Sequence, residues 1–298
     1  MSIEAFATVA ICTHDRLPDV RRCLAGLVSQ AKAEGLAVLV VDSGSSPECA
    51  TGLSALANRW DIQILRCDEP GVSKARNVAA TAAKTEWIIY LDDDALPAPD
   101  WAERIVQSLR ECPADAGMIG GMIRPKWPDG SDPAKITERW KLLLSCTDRP
   151  GRGLVPDKYN ICGANLAVRQ SALAFAGGFP TNLGRIGTKL LSGEEAYLIA
   201  WFRWHNISVL YDDRFVVDHY IANERMNPRW AAQRAYWEGY SYLRILRALG
   251  ARLPRSVWPL KLIASIPALA LLAILSVDFR IRLGMALGSL AAQIEYSA

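Results

Sequence analysis

Three consecutive carboxylates, Asp92-Asp93-Asp94, follow the apolar run at residues 87–91. Hard oxygen donors at this density suit a Mg2+ or Mn2+ ion that keeps open positions for a diphosphate. A solvated acidic loop is the plainer reading of such a triplet, but adjacent like charges repel and a cation relieves them. Two more carboxylates, Asp15 and Asp42, close the apolar runs at 7–12 and 36–41. Arg76, between Gly71 and Asn77 near a helix start, adds the positive charge that a diphosphate requires.

The elements that must carry these groups follow from the hydrophobic pattern. Residues 7–12, 36–41, 62–65 and 87–91 are short apolar runs, too short for helices and bounded by polar turns. Val20, Leu24 and Leu27 recur at helical spacing, and 72–83 is an Ala-rich helix. Strand and helix alternating at this interval predict a parallel, doubly wound sheet, whose ligands bind at the carboxyl ends of the strands. Further along, 118–123 and 161–168 read as strands, 136–144, 170–176 and 194–204 as helices, and 208–211 and 215–217 as two strands leading to His219. A long polar loop with several Pro and Gly occupies 126–156, where Trp127 and Trp140 could stack on a ligand or simply pack.

The 298 residues carry 34 Lys and Arg against 31 Asp and Glu, a net charge of +3, with 51% hydrophobic residues. That balance excludes disorder and argues against a nucleic-acid partner. The 7 Cys include no C-x-x-C pair and no zinc-finger His, which fits a reduced, cytoplasmic chain. Glu4 stands where a signal peptide would need basic residues.

Seven motifs occur in order: Thr13-His14-Asp15-Arg16, Val40-Val41-Asp42-Ser43-Gly44-Ser45, Ala75-Arg76-Asn77, Leu91-Asp92-Asp93-Asp94, Gly163-Ala164-Asn165-Leu166-Ala167-Val168-Arg169, Gly177-Gly178-Phe179 and Gly193-Glu194-Glu195. Together they resemble the inverting family 2 glycosyltransferases with a GT-A fold. The resemblance implies an α/β architecture: a GT-A type doubly wound mixed sheet with a Rossmann-like nucleotide-binding half, here over residues 1–225. Beyond it the composition changes to Trp- and Arg-rich helix, which reads as a C-terminal helical appendage at 226–298. It further implies an inverting, metal-dependent transfer of a sugar from a nucleotide-diphosphate donor to a saccharide or lipid-linked acceptor, in polysaccharide or glycolipid synthesis.

Residue roles follow from the same resemblance. Thr13, Asp15, Arg16, Asp42, Arg76, Asp92 and Asp93 would lie on the donor side, and Asp94 and His219 would bind Mg2+ or Mn2+. Gly163, Asn165, Arg169 and Trp127 would line the acceptor side. Glu195, beside Glu194, would be the general base; the family has Asp here, so this carboxylate sits one methylene further out. His14 would touch the nucleotide, and His205 reads as a surface residue at a helix end. A metal-dependent nucleotidyltransferase is a rival, though 13–18 holds no phosphate-binding Gly. A non-catalytic sugar-nucleotide binder is another.

The resemblance does not cover the C-terminal quarter. Residues 262–277 are uncharged but interrupted by Pro267, and short of the roughly 20 residues that span a bilayer. Arg244, Arg247, Arg252, Arg255 and Lys261 precede them, and a second apolar run follows at 283–294. Basic residues beside apolar helix suit the anionic cytosolic leaflet, giving a peripheral membrane contact; packing against protein is the alternative.

Overall fold

The computed structural model describes residues 5–156, 159, 161–187, 189–250, 266, 269–270, 273 and 276–295. The elements in chain order are β1 Ala7–Thr13, α1 Leu17–Ala33, β2 Leu36–Ser43, α2 Pro47–Trp60, β3 Gln63–Cys67, α3 Val72–Ala82, β4 Trp87–Asp92, β5 Ala95–Pro97, α4 Trp101–Glu111 and β6 Ala116–Lys126. After them come α5 Glu138–Leu143, β7 Arg152–Leu154, β8 Asn165–Arg169, α6 Gln170–Phe175, α7 Glu194–Trp204, β9 Ser208–Tyr220, α8 Pro228–Ala248 and α9 Val277–Glu295. The chain divides into two compact units: Met1–Lys126, Cys146–Thr181 and Leu198–Tyr220 in the first, Trp127–Ser145, Asn182–Tyr197 and Ile221–Ala298 in the second.

The first unit is built on one mixed sheet, ordered β3-β2-β1-β4-β8-β6-β9-β5, with β7 also on β9. Strands β1 to β4 pair in parallel. Their central members are buried along nearly their whole length, which is why they read as unbroken apolar runs. Helix α1 starts with a proline in its first turn and buries Val20, Cys23, Leu24, Leu27 and Ala31, the stripe that a 3.6-residue period lays on one face. The Ser46 side chain accepts from Cys49 N at the head of α2, again with a proline in the first turn.

The other half departs from the sequence reading in three places. Strand β8 begins only at Asn165, later than 161, and runs antiparallel to β4 and β6. The two strands expected at 208–211 and 215–217 form the single strand β9, whose register on β6 jumps from Gly121↔Asp212 to Met122↔Val216. The polar residues at that jump look like a turn in sequence, yet Asp212 is buried and satisfied by Ser108, Arg152 and Arg214. The three-residue strands β5 and β7 were not anticipated; both lie antiparallel on β9.

In the second unit, α8 and α9 pack at backbone distance. A Cβ on Gly288 would stand 1.7 Å from Tyr236 O, one on Gly284 2.4 Å from Ala232 O, and one on Gly239 2.0 Å from Met285 O. Thr137 Oγ1 donates to Asp278 Oδ1 at 2.5 Å and ties the start of α5 to α9. Leu191, Tyr240, Leu243 and Ala292 form an apolar cluster. The apolar run 283–294 thus belongs to a helix packed on protein, whereas 262–277 lies mostly outside the described residues. Among the described residues no helix is long and apolar enough to cross a membrane.

Candidate active site

The parallel register brings the expected residues to one edge. Thr13 lies beside Asp42 across β1 and β2, and Cys12 beside Asp92 across β1 and β4. Each is at or next to the carboxyl end of its strand, so the loops beyond them meet. Ser46 N donates to Asp15 Oδ1 at 2.8 Å, Asp15 N to Ser45 Oγ at 2.9 Å and Ser45 N to Asp42 Oδ1 at 3.0 Å. Asp42 is buried and its other oxygen accepts from Arg66, a residue that pairs with it in register on β3. Arg66 was missed by sequence reasoning; its position at the carboxyl end of a strand was the available signal. The exposed His14 donates through Nδ1–H to Ser43 O, 2.8 Å away.

The acidic turn after β4 is a charge cluster. Thr13 Oγ1 donates to Asp93 Oδ2 at 2.7 Å, and Arg16 Nη1 reaches Asp93 Oδ1 at 2.9 Å and Asp94 Oδ2 at 3.0 Å. Burial, partly offset by Arg16 and reinforced by Asp94, pushes the Asp93 carboxyl well above the usual carboxylate range. His219 Nε2 lies 3.3 Å from Asp94 Oδ1, both residues being buried. The backbone holds them there: Ala95 pairs with His219 across β5 and β9, and Tyr220 N donates to Asp94 O at 2.9 Å.

Arg76 projects from α3 with only 3% of its side chain exposed, so it is not a surface arginine. Its Nη2 is 3.4 Å from Asp92 Oδ1, and its guanidinium sits over the rings of Phe179 at 5.5 Å and Tyr90 at 5.7 Å. Asn77, its neighbour, clasps the Gly177-Gly178-Phe179 turn: Phe179 N donates to Asn77 Oδ1 at 2.8 Å and Asn77 Nδ2 to Phe179 O at 2.9 Å. Gly178, at φ +85°, faces Asn77 so closely that a Cβ would be 2.8 Å from Oδ1. Two separate motifs are therefore one structural device behind Arg76.

Gly163 also comes to this edge, since Asp92 N donates to Ala164 O at 3.4 Å. Asn165 and Arg169 do not offer themselves to a ligand there. Asn165 is 0% exposed and fully engaged, giving Nδ2 to Met122 O and Phe215 O and taking Trp101 Nε1, each at 3.0 Å. Arg169 pairs with Trp87, the opposite end of β4 from Asp92, where it stacks on Trp87 at 4.5 Å and bonds Ala116 O at 2.8 Å. His205 lies at the surface just past α7, its Nδ1 2.8 Å from Trp201 O in the last turn of that helix.

The second unit, taken by itself, contains Trp127, Trp140 and the Gly193-Glu194-Glu195 turn. Trp127 is half-buried; Trp140 is 1% exposed, leaving no ring face for a sugar. Gly193, at φ +95°, starts α7 and accepts from Tyr197 N at 2.8 Å. Glu194 is buried and Glu195 half-buried, both in the first turn, where the helix dipole favours carboxylates.

Asp94 and His219 fit a divalent cation. One hard carboxylate oxygen, Asp94 Oδ1, faces one imidazole nitrogen, His219 Nε2, a donor pair that an ion between them would take. No group of three or more His, Cys, Asp or Glu side chains is assembled for a metal among those residues.

A parallel nucleotide-type half-sheet ending in an acidic turn, continued by antiparallel strands, is the architecture of the GT-A glycosyltransferases. The chain belongs to glycosyl transferase family 2, whose sequence model matches residues 8–174, and it is a glycosyltransferase. It is 26% identical over 239 residues to a glucosyl-dolichyl phosphate glucuronosyltransferase of Haloferax volcanii, covering 78% of this chain and 75% of that protein. It is 23% identical over 249 residues to the succinoglycan biosynthesis protein ExoM of Rhizobium meliloti, covering 80% and 74%. Among solved structures, the mannosyltransferase PcManGT of Pyrobaculum calidifontis in complex with GDP-Man and Mn2+ aligns with a TM-score of 0.64 and 20% identity, over 98% of this chain and 87% of that one.

Proposed function

We propose that this glycosyltransferase moves a sugar, with inversion and in a metal-dependent manner, from a nucleotide-diphosphate sugar to a hydroxyl of a saccharide or lipid-linked acceptor, in cell-surface polysaccharide or glycolipid synthesis. The observation that carries the reading is the acidic turn Asp92-Asp93-Asp94 flanked by Arg16, Arg76 and His219 at the carboxyl edge of the parallel strands. The relatives add weight, being named for glucuronosyl transfer to a lipid-linked sugar and for succinoglycan synthesis.

In this reading Thr13, Asp15 and Asp42 shape the nucleotide end, and Arg76, backed by Phe179 and Tyr90, meets the diphosphate. Asp94 and His219 hold a Mg2+ or Mn2+ ion. When bound, that ion supplies positive charge for the departing diphosphate. Glu195 takes the proton of the acceptor hydroxyl as its oxygen forms the new bond to the anomeric carbon, and the bond from that carbon to the diphosphate oxygen breaks. The greater openness of Glu195 than Glu194 supports assigning it the base.

Nucleotide-sugars are screened with Mn2+ by thermal shift, since a bound donor raises apparent stability by mass action. Asp94→Ala then abolishes transfer with the fold intact, and Glu195→Gln lowers it by roughly 10²- to 10⁴-fold while nucleotide binding is kept. Full activity of Asp94→Ala in excess chelator would sink the metal assignment. A wild-type Glu195→Gln beside an inactive Glu194→Gln would exchange the two glutamates.

The C-terminal segment belongs to the same proposal. Arg244, Arg247, Arg252, Arg255 and Lys261 support a peripheral contact with the cytosolic face of a membrane, which would bring a lipid-linked acceptor to the enzyme. Cells expressing the full chain and a chain ending near residue 227 are fractionated without detergent. Equal solubility of the two sinks the membrane contact.

A further inference from the structure

The turn that carries Glu195 is bolted to α8, a helix outside the residues that the family model matches. Ser192 N donates to Ser241 Oγ at 3.1 Å, and Ser192 Oγ donates to Glu238 Oε2 at 2.8 Å. Arg234 Nη1 completes the group, 2.7 Å from Glu238 Oε2 and 3.3 Å from Ser192 Oγ. One residue on, Gly193 takes φ +95° and comes so near α8 that a Cβ would stand 2.5 Å from Ile245 Cδ1. Residues 234, 238, 241 and 245 recur at helical spacing, so they form one stripe along α8.

A helix start normally needs only a side chain that caps its own amides. Here the backbone and the hydroxyl of Ser192 are both spent on a different helix, one residue short of the two glutamates. We propose that Arg234, Glu238 and Ser241 are positioning residues: by fixing Ser192 and Gly193 they set where α7 begins, and hence where the Glu195 carboxylate stands. This rests on Glu195 being the general base. A carboxylate misplaced by about 1 Å costs on the order of 10²-fold in rate, so a rigid mount has a catalytic consequence.

The test compares wild type with Ser192→Ala, Glu238→Ala, Ser192→Thr and Glu195→Gln. Turnover is followed as nucleoside-diphosphate release, with water as acceptor, from UDP-glucose, UDP-glucuronic acid and GDP-mannose in Mn2+. Hydrogen exchange of the peptide covering 192–198 is measured in parallel and requires no donor. Ser192→Ala and Glu238→Ala are expected to lower kcat by roughly 10- to 100-fold with donor KM within about twofold, and to speed exchange in that peptide alone. Ser192→Thr, which keeps the hydroxyl and the amide, restores most of the rate. Unchanged exchange in both alanine variants overturns the proposal, as does wild-type kcat in both while Glu195→Gln is inactive. An active Glu195→Gln overturns the base assignment beneath it instead.

Discussion

A single nitrogen of Arg16, Nη1, lies 2.9 Å from Asp93 and 3.0 Å from Asp94, so one guanidinium serves two buried carboxylates that also repel each other. Removing it leaves that repulsion without its nearest positive charge, which buried sites tolerate poorly. Arg16→Ala is therefore expected to melt several degrees lower than wild type in chelator and to recover more than wild type on adding Mn2+. Equal melting of the two proteins in chelator would show that Arg16 does not neutralise the turn.

Asn165 is expected to act through the sheet. Asn165→Ala strips Trp101 Nε1 of its acceptor and two carbonyls of a donor, each buried group left unsatisfied costing roughly 1–3 kcal/mol. Urea unfolding measures this loss. Unchanged stability with a raised acceptor KM would return Asn165 to the acceptor side.

Acid should expose the ion-pair network around Glu111. Arg214 and Arg152, with Gln107, hold the Glu111 carboxyl down to about 2, below its ordinary 4.5. Because the folded value is the lower one, the stabilisation is complete above about pH 4.5 and disappears as pH falls towards 2. Melting curves of wild type and Glu111→Gln should accordingly converge as pH is lowered from 6 to 2, and a constant gap would contradict the pairing.

Gly288 tests the helix pair. Its Cβ position is 1.7 Å from a backbone oxygen, which cannot rotate away, so Gly288→Ala should cost about 1–3 kcal/mol in urea unfolding. Leu287→Ala, at a position 39% exposed, is the control and should stay within about 0.5 kcal/mol. Equal stability of both variants would mean that α8 and α9 are not in backbone contact.

The parallel half was legible because burial on both faces writes β1, β2 and β4 as apolar runs, with Asp42 and Asp92 in the last two residues of β2 and β4 and Asp15 two residues beyond β1. Direction was harder to read. Asn165 and Arg169 are four residues apart in one motif, but β8 runs antiparallel to β4 and carries Arg169 away from Asp92. Strands β5 and β7 are too short to show alternation, and the charged bulge of β9 imitates a turn because its partners, Ser108, Glu111 and Arg152, are remote in sequence. The mount of Glu195 was hidden for the same reason: Ser192 and Glu238 mean nothing until α8 is folded beside them.

The pairing of Ala95 with His219 also orders events during synthesis. Strands β1 to β4 can assemble as soon as they leave the ribosome, bringing Asp42 and Asp92 together early, because N-terminal units form first. Among the described residues β5 pairs with β9 alone, so the acidic turn waits for a partner made more than a hundred residues later. A nascent chain therefore carries a nucleotide-type half-sheet well before it carries the Asp94–His219 pair, and a chain released short of β9 would lack that pair altogether.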